Sequence, residues 1–137
     1  MSTPVPSTAA VRILMVDDHP LVRQGMRGVV EGFENMHVVG EAADGQEAVQ
    51  LAESLRPDVI IMDVNMPRMD GIDATRAIKR ANPQITVIGL SVHSSEQVEA
   101  AMKAAGAASY LTKDAAPEQL YSAITTALEN TITPNGT

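Results

Sequence analysis

The sequence predicts an α/β fold in which a five-stranded parallel sheet carries helices on both faces. Three observations lead there. Between residues 11 and 129, short apolar runs alternate with segments of helical period five times, as successive β–α units do. The middle run, "DVIIMD" at 58–63, is apolar on consecutive residues, so both of its faces call for burial, as in a central parallel strand. The chain has 137 residues, of which 45% are hydrophobic, enough for one domain with a full core and too few for two ordinary ones.

The first strand is "VRILMV" (11–16), which runs into Asp17 and Asp18. Leu21, Val22, Met26, Val29, Val30 and Phe33 then recur at helical spacing, with Pro20 at a first-turn position after an Asp or His cap. "HVVGEA" (37–42) alternates more and reads as an edge strand. Asp44 followed by Glu47 has the form of a capping box, opening a helix with Ala48, Leu51, Ala52 and Leu55 on its apolar face and Pro57 at its end. After the central strand, a helix from about Asp70 to Arg80 stops at Asn82-Pro83. "ITVIGLS" (85–91) is the fourth strand, weakened by Gly89. Ser94 with Gln97 forms a second candidate capping box ahead of Val98, Ala101, Met102 and Ala105. "ASYLT" (108–112) is the fifth strand, and Leu120, Ile124, Ala127 and Leu128 line the last helix.

Residues 1–10 read as a flexible N-terminal arm, 11–129 as the domain, and 130–137 as a tail or truncated linker. The formal net charge of −7 opposes direct binding of a phosphate backbone by this segment. No apolar run reaches the roughly 18 residues of a membrane span. The absence of Cys leaves no disulfide frame or thiolate metal site and fits a reducing, cytoplasmic setting.

In parallel α/β sheets, ligands bind beyond the carboxyl ends of the strands. Here those ends bring Asp17 and Asp18, then Asp63, then Ser91, then Thr112 and Lys113, whereas the second strand ends in "EAADG". Three carboxylates in one crevice repel one another and call for a divalent cation. All-oxygen ligation from few protein groups suits Mg²⁺, which keeps several waters and bridges to phosphate. With the Lys113 ammonium and the Ser91 hydroxyl on the same rim, the set makes a cradle for a phosphoryl group, and Asp63 can be its acceptor. Taken singly, each residue has a plainer reading as a cap, a turn or a solvated charge. It is their joint placement at strand ends that points to function.

The segments "MVDDH", "IIMDVNMPRMDG", "LSVHS" and "SYLTKD" together resemble the response-regulator receiver domain of two-component signalling, over residues 11 to about 129. "VDDHPLVRQGM" and "YLTKD" are most similar to the NarL/FixJ group. The resemblance implies a flavodoxin-like sheet of order 2-1-3-4-5 and phosphoryl transfer from a histidine kinase to Asp63. Mg²⁺ would be held by Asp18, Asp63 and the Asn65 main-chain carbonyl, with Asp17 reaching it through water. Ser91 and Lys113 would bind the phosphoryl oxygens, and Tyr110 would be the switch aromatic that moves with Ser91. Pro67 and Gly71 would shape the loop. His19, His37 and His93 are read as helix-entry, strand and surface residues. Asp114 stands where many members carry proline after the lysine, and Ser91 where threonine is more frequent.

The implied function is a phosphorylation-dependent switch, not an enzyme beyond its own phosphotransfer and autodephosphorylation. Its readout face would span roughly Ser94 to Leu128. The partners implied are a cognate kinase, a second copy on phosphorylation, and a C-terminal DNA-binding domain beyond this chain. A receiver module of a hybrid kinase or phosphorelay is the alternative. A Mg²⁺-dependent phosphoaspartate hydrolase ranks well behind, because "DVNMP" lacks that family's second acid.

Overall fold

A computed structural model describes residues 10–66 and 68–132. Most of the expected arm (1–9), the last five residues of the expected tail and the loop-shaping Pro67 lie outside the described residues. The elements alternate strictly: β1 (Val11–Val16), α1 (Pro20–Glu31), β2 (Met36–Ala42), α2 (Gly45–Leu55), β3 (Val59–Asp63), α3 (Gly71–Ala81), β4 (Thr86–Ser91), α4 (Glu96–Ala105), β5 (Ser109–Thr112) and α5 (Ala116–Ile132). All strand pairs are parallel, in the order β2-β1-β3-β4-β5. β2 pairs with one side of β1 and β3 with the other, so the chain reverses its direction of winding there, and β1 and β3 carry their acids to the same edge.

Every residue of β3 is buried, which explains its unbroken apolar run. Leu14, Val16, Ile60 and Met62 face one helix layer with Ala48, Ala74, Ile78 and Met102. Ile13, Met15, Val59 and Ile61 face the other, with Met26, Val30, Leu120 and Ile124. Burial of each large side chain contributes about 2 kcal/mol, and a one-residue slip of β3 would exchange the two faces. β2 and β5 are the edges, as their weaker patterns suggest, and both are largely half-buried.

The helix ends refine three sequence readings. Asp44 does cap α2, accepting from the Glu47 amide at 2.9 Å, while Glu47 reaches back to the Ala43 amide. The cap of α4 is Ser95, not Ser94, with Ser95 Oγ accepting from the Val98 amide at 3.2 Å. Two adjacent serines offer the same chemistry, and Ser95, whose backbone is extended, takes the role. α5 continues to Ile132, three residues beyond the boundary read at 129. His19 is the N-cap residue of α1 but makes no side-chain capping bond. Gly89, the weak point of β4, sits opposite Tyr110, and a Cβ there would lie 2.8 Å from Met102 Cε. The gap in the strand's side-chain row is filled by α4.

Candidate functional site

β1 ends in a pair of acids fixed by their own backbone. The Asp17 amide continues the ladder to the Ala42 carbonyl at 3.0 Å, Asp17 Oδ1 accepts from the His19 amide at 2.8 Å, and the Asp17 carbonyl accepts from Arg23 Nη1. Asp63 is the last residue of β3, in register with Leu90. The Val64 amide donates to the Leu90 carbonyl, and the Gly71 amide closes the following loop onto the Val64 carbonyl at 2.8 Å. Ser91 ends β4, and the Lys113 amide donates to its carbonyl at 2.7 Å. The strand ends therefore meet because the ladder itself joins them.

Asp17 and Asp63 are 2% and 1% exposed, so their charges are almost wholly withdrawn from water. Lys113 Nζ lies 2.8 Å from Asp17 Oδ2 and 3.3 Å from Asp63 Oδ1. Burial works against the Lys113 ammonium, but Asp17 and Asp63 overcome it and hold the group above the ordinary lysine value. One cation does not neutralise the cluster. Burial first, and Asp17 second, push Asp63 up to about 6 despite Lys113. Among the described residues, Asp63 Oδ2 accepts no hydrogen bond, Asp17 Oδ2 faces only the Lys113 ammonium, and Asp18 Oδ1 has only the His19 ring at 3.1 Å. Buried carboxylate oxygens left unpaired are costly, and a divalent cation is the group that would satisfy them together. Asp17, Asp18, His19 and Asp63 each offer a ligand atom, all within 4.8 Å of one another.

Ser91 is 3% exposed and is engaged away from the acids. Its Oγ donates to the His93 carbonyl at 2.5 Å and shares a hydrogen bond with the Tyr110 hydroxyl at 2.7 Å. The Tyr110 hydroxyl also lies 3.3 Å from the His93 carbonyl. Ser91 and Tyr110 are thus joined directly. Asn65 is exposed, and its amide donates to Asp63 Oδ1 at 3.3 Å, which ties the start of the loop to Asp63. Asp114 is exposed, and no peptide bond among the described residues is cis. The His37 and His93 side chains are exposed, as expected of them.

The sequence reading missed two features. His19, read as a helix-entry residue, stands among the candidate metal ligands, and its place directly after Asp17-Asp18 was the available signal. Arg68, in the loop after β3, donates from Nε and Nη2 to Asp44 Oδ2 at 3.0 and 2.8 Å, a contact across 24 residues that no local pattern announces.

A family model described as "Response regulator receiver domain" matches residues 13–125. The curated protein "Response regulator UvrY" of Escherichia coli (strain K12) is 43% identical over 114 residues, covering 83% of this chain and 52% of the relative. "Response regulator GacA" of Pseudomonas aeruginosa is 40% identical over 114 residues, covering 83% and 53%. The chain therefore spans about half the length of these curated relatives. Among solved structures, a two-component response regulator of the LuxR family from Aurantimonas sp. SI85-9A1 superposes with a TM-score of 0.84 at 36% identity, covering 88% of this chain and 86% of that one. The response regulator domain of Thermotoga maritima CheB gives 0.82 at 31% identity, covering 88% and 97%.

Proposed function

The chain belongs to the response regulator receiver domain family and so is a phosphorylation-dependent signalling switch of the kind found in NarL-like regulators; on that premise we propose that Asp63 is its phosphoacceptor. The observation that carries the proposal is the buried Asp63 Oδ2, which has no hydrogen-bond partner among the described residues and lies beside a lysine and two further acids. Asp63 attacks the phosphorus of a phosphohistidine on a partner kinase. The phosphorus–oxygen bond forms as the phosphorus–nitrogen bond breaks, and the imidazole nitrogen leaves with the electron pair.

Asp18, Asp63 and the Asn65 carbonyl would hold Mg²⁺, with Asp17 reaching it through water, and the ion would supply positive charge to the oxygens that gain charge in the transfer. Lys113 stays protonated and neutralises a phosphoryl oxygen, while burial of Asp17 and Asp63 keeps competing water away. The product carries about two negative charges where the acceptor carried one. Ser91 turns to a phosphoryl oxygen, and Tyr110 moves with it, altering the face formed by α4, β5 and α5. The chemistry is limited to this self-catalysed transfer and the hydrolysis that reverses it.

The parent protein is a transcriptional regulator in which a DNA-binding output domain adjoins the receiver, in keeping with relatives named as response regulators and a transcriptional regulatory protein, of whose length the match covers only 52–54%. It works in the cytoplasm, receives its phosphoryl group from a histidine kinase, and pairs with a second copy once phosphorylated. Among the described residues no helix is long and apolar enough to cross a membrane.

Incubation with acetyl phosphate and Mg²⁺ tests the assignment. The native chain should gain the mass of one phosphoryl group, Asp63→Asn should not, and omission of Mg²⁺ should suppress the gain. Equal modification of Asp63→Asn would remove Asp63 from the role.

A further inference from the structure

The loop between β3 and α3 carries Asn65, and its far side rests on the start of α2. Asp44 faces both ways at that contact. Its Oδ1 caps α2 through the Glu47 amide at 2.9 Å, and its Oδ2 accepts from Arg68 Nε and Nη2 at 3.0 and 2.8 Å. The Asp44 side chain is only 9% exposed, although that of Arg68 is 63% exposed. The Glu47 amide and then the Arg68 guanidinium hold the Asp44 carboxyl below the usual carboxylate range. Arg68 adopts φ 67°, a left-handed conformation that disfavours any residue with a Cβ. The backbone fits as tightly as the side chains, since a Cβ on Gly45 would lie 2.0 Å from the Met69 carbonyl oxygen. The two-pronged contact with Asp44 ties the Arg68 side chain down in that conformation, beside the close backbone approach of Met69 to Gly45.

We propose that the Arg68–Asp44 pair is a latch that positions the Asn65 loop over Asp63, making Arg68 a positioning residue for the metal and phosphoryl site. The proposal rests on the assignment of that site given above. Arg68 touches neither ligand nor acceptor; it acts by fixing a loop whose other end is tied to the site through the Asn65 amide and Asp63 Oδ1. With the latch open, the loop that carries Asn65 loses its anchor on the start of α2.

The sign of the effect separates positioning from simple charge. Arg68 is a cation near an acidic metal site, so by Coulomb's law alone its removal should tighten Mg²⁺ binding. If it positions the loop, its removal should weaken binding. Loss of a group that directly orients a metal ligand costs about 10- to 100-fold in affinity. A support one step further out should cost about three- to tenfold.

Mg²⁺ affinity would be measured calorimetrically on the whole chain for the native protein and for Arg68→Ala, Arg68→Gly, Asp44→Ser and the Arg68→Ala/Asp44→Ser double variant. Glycine accepts the left-handed backbone and serine can still cap α2, so these two changes remove the contact while sparing backbone and helix. Each single variant should bind several-fold more weakly, and the double variant no more weakly than the worse single, as expected of one shared interaction. Arg68→Lys should fall between, and Arg76→Ala, which breaks only the exposed pair with Asp73, should bind as the native chain does. Unchanged or tighter binding by Arg68→Ala or Arg68→Gly, with native binding intact, overturns the latch alone. A native chain that binds no Mg²⁺ overturns both the latch and the site assignment on which it rests.

Discussion

Asp63→Asn should make the metal-free protein more stable while removing the proposed acceptor. Asp63 keeps its proton up to about pH 6 in the fold, against an ordinary value of 3.8. Between those values the native state binds more protons than the unfolded chain, so stability falls as pH rises through the window, and the full penalty stands above about 6. A difference of about two pH units corresponds to about 3 kcal/mol. Asparagine has nearly the same shape and carries no charge, and Lys113 keeps Asp17 as a partner at 2.8 Å. A net gain of about 1 to 3 kcal/mol is expected near neutral pH, after allowance for the lost Lys113 contact with Asp63. Urea unfolding in the presence of a chelator, at about pH 7.5 and again at about pH 4, measures it through the transition midpoint. The variant should gain at the higher pH and be level with the native chain at the lower. Mg²⁺ should then narrow the gap, because it stabilises the state that binds it. A variant no more stable near neutrality, or one whose advantage persists undiminished in acid, would show that ionised Asp63 carries no such penalty.

Two further changes probe the same site. Lys113→Met should destabilise the chain by about 2 to 4 kcal/mol near neutral pH by stranding two buried carboxylates, and the loss should shrink in acid as Asp63 takes up a proton. Because Lys113 is held above the ordinary lysine value, its contribution to the native chain should persist through neutral pH and fade only as pH rises through that raised value, which an alkaline unfolding series would check. Tyr110→Phe should cost about 1 kcal/mol through the hydroxyl bonds to Ser91 and the His93 carbonyl yet leave phosphorylation by acetyl phosphate intact. A variant that no longer accepts phosphate would give the tyrosine a part in the chemistry itself.

What could be read from the sequence was whatever a single strand or helix determines locally. Ile60, Ile61 and Met62 announce a strand buried on both faces, and strand ends are where such sheets place ligands, so Asp63 could be singled out from its own neighbours. Asp17, Asp18 and Lys113 followed from the same rule applied to β1 and β5. The errors arose where two local solutions were nearly equal or where the partner was remote. Ser94 and Ser95 both offer a hydroxyl to the start of α4, and only the backbone geometry chooses between them. Asn130 and Thr131 have modest helix propensity, yet α5 runs on to Ile132. The space at Gly89 is claimed by Met102 and Tyr110, neither of which is near it in sequence. Arg68 carried no reading from the sequence because its partner, Asp44, lies on the preceding α2 cap.

The joined hydroxyls of Ser91 and Tyr110 set a limit that can be counted in protons. Ser91 owns one hydroxyl hydrogen, now given to the His93 carbonyl, so Oγ serves Tyr110 as an acceptor. Were that hydrogen turned toward an anion on Asp63, the His93 carbonyl would be orphaned. The Tyr110 hydroxyl already lies 3.3 Å from it and can take over the vacated bond with its own single hydrogen. The exchange conserves the number of hydrogen bonds, with the carbonyl handed from serine to tyrosine. Serine is thereby released at little enthalpic cost, and the position of one aromatic ring comes to record where one proton is spent.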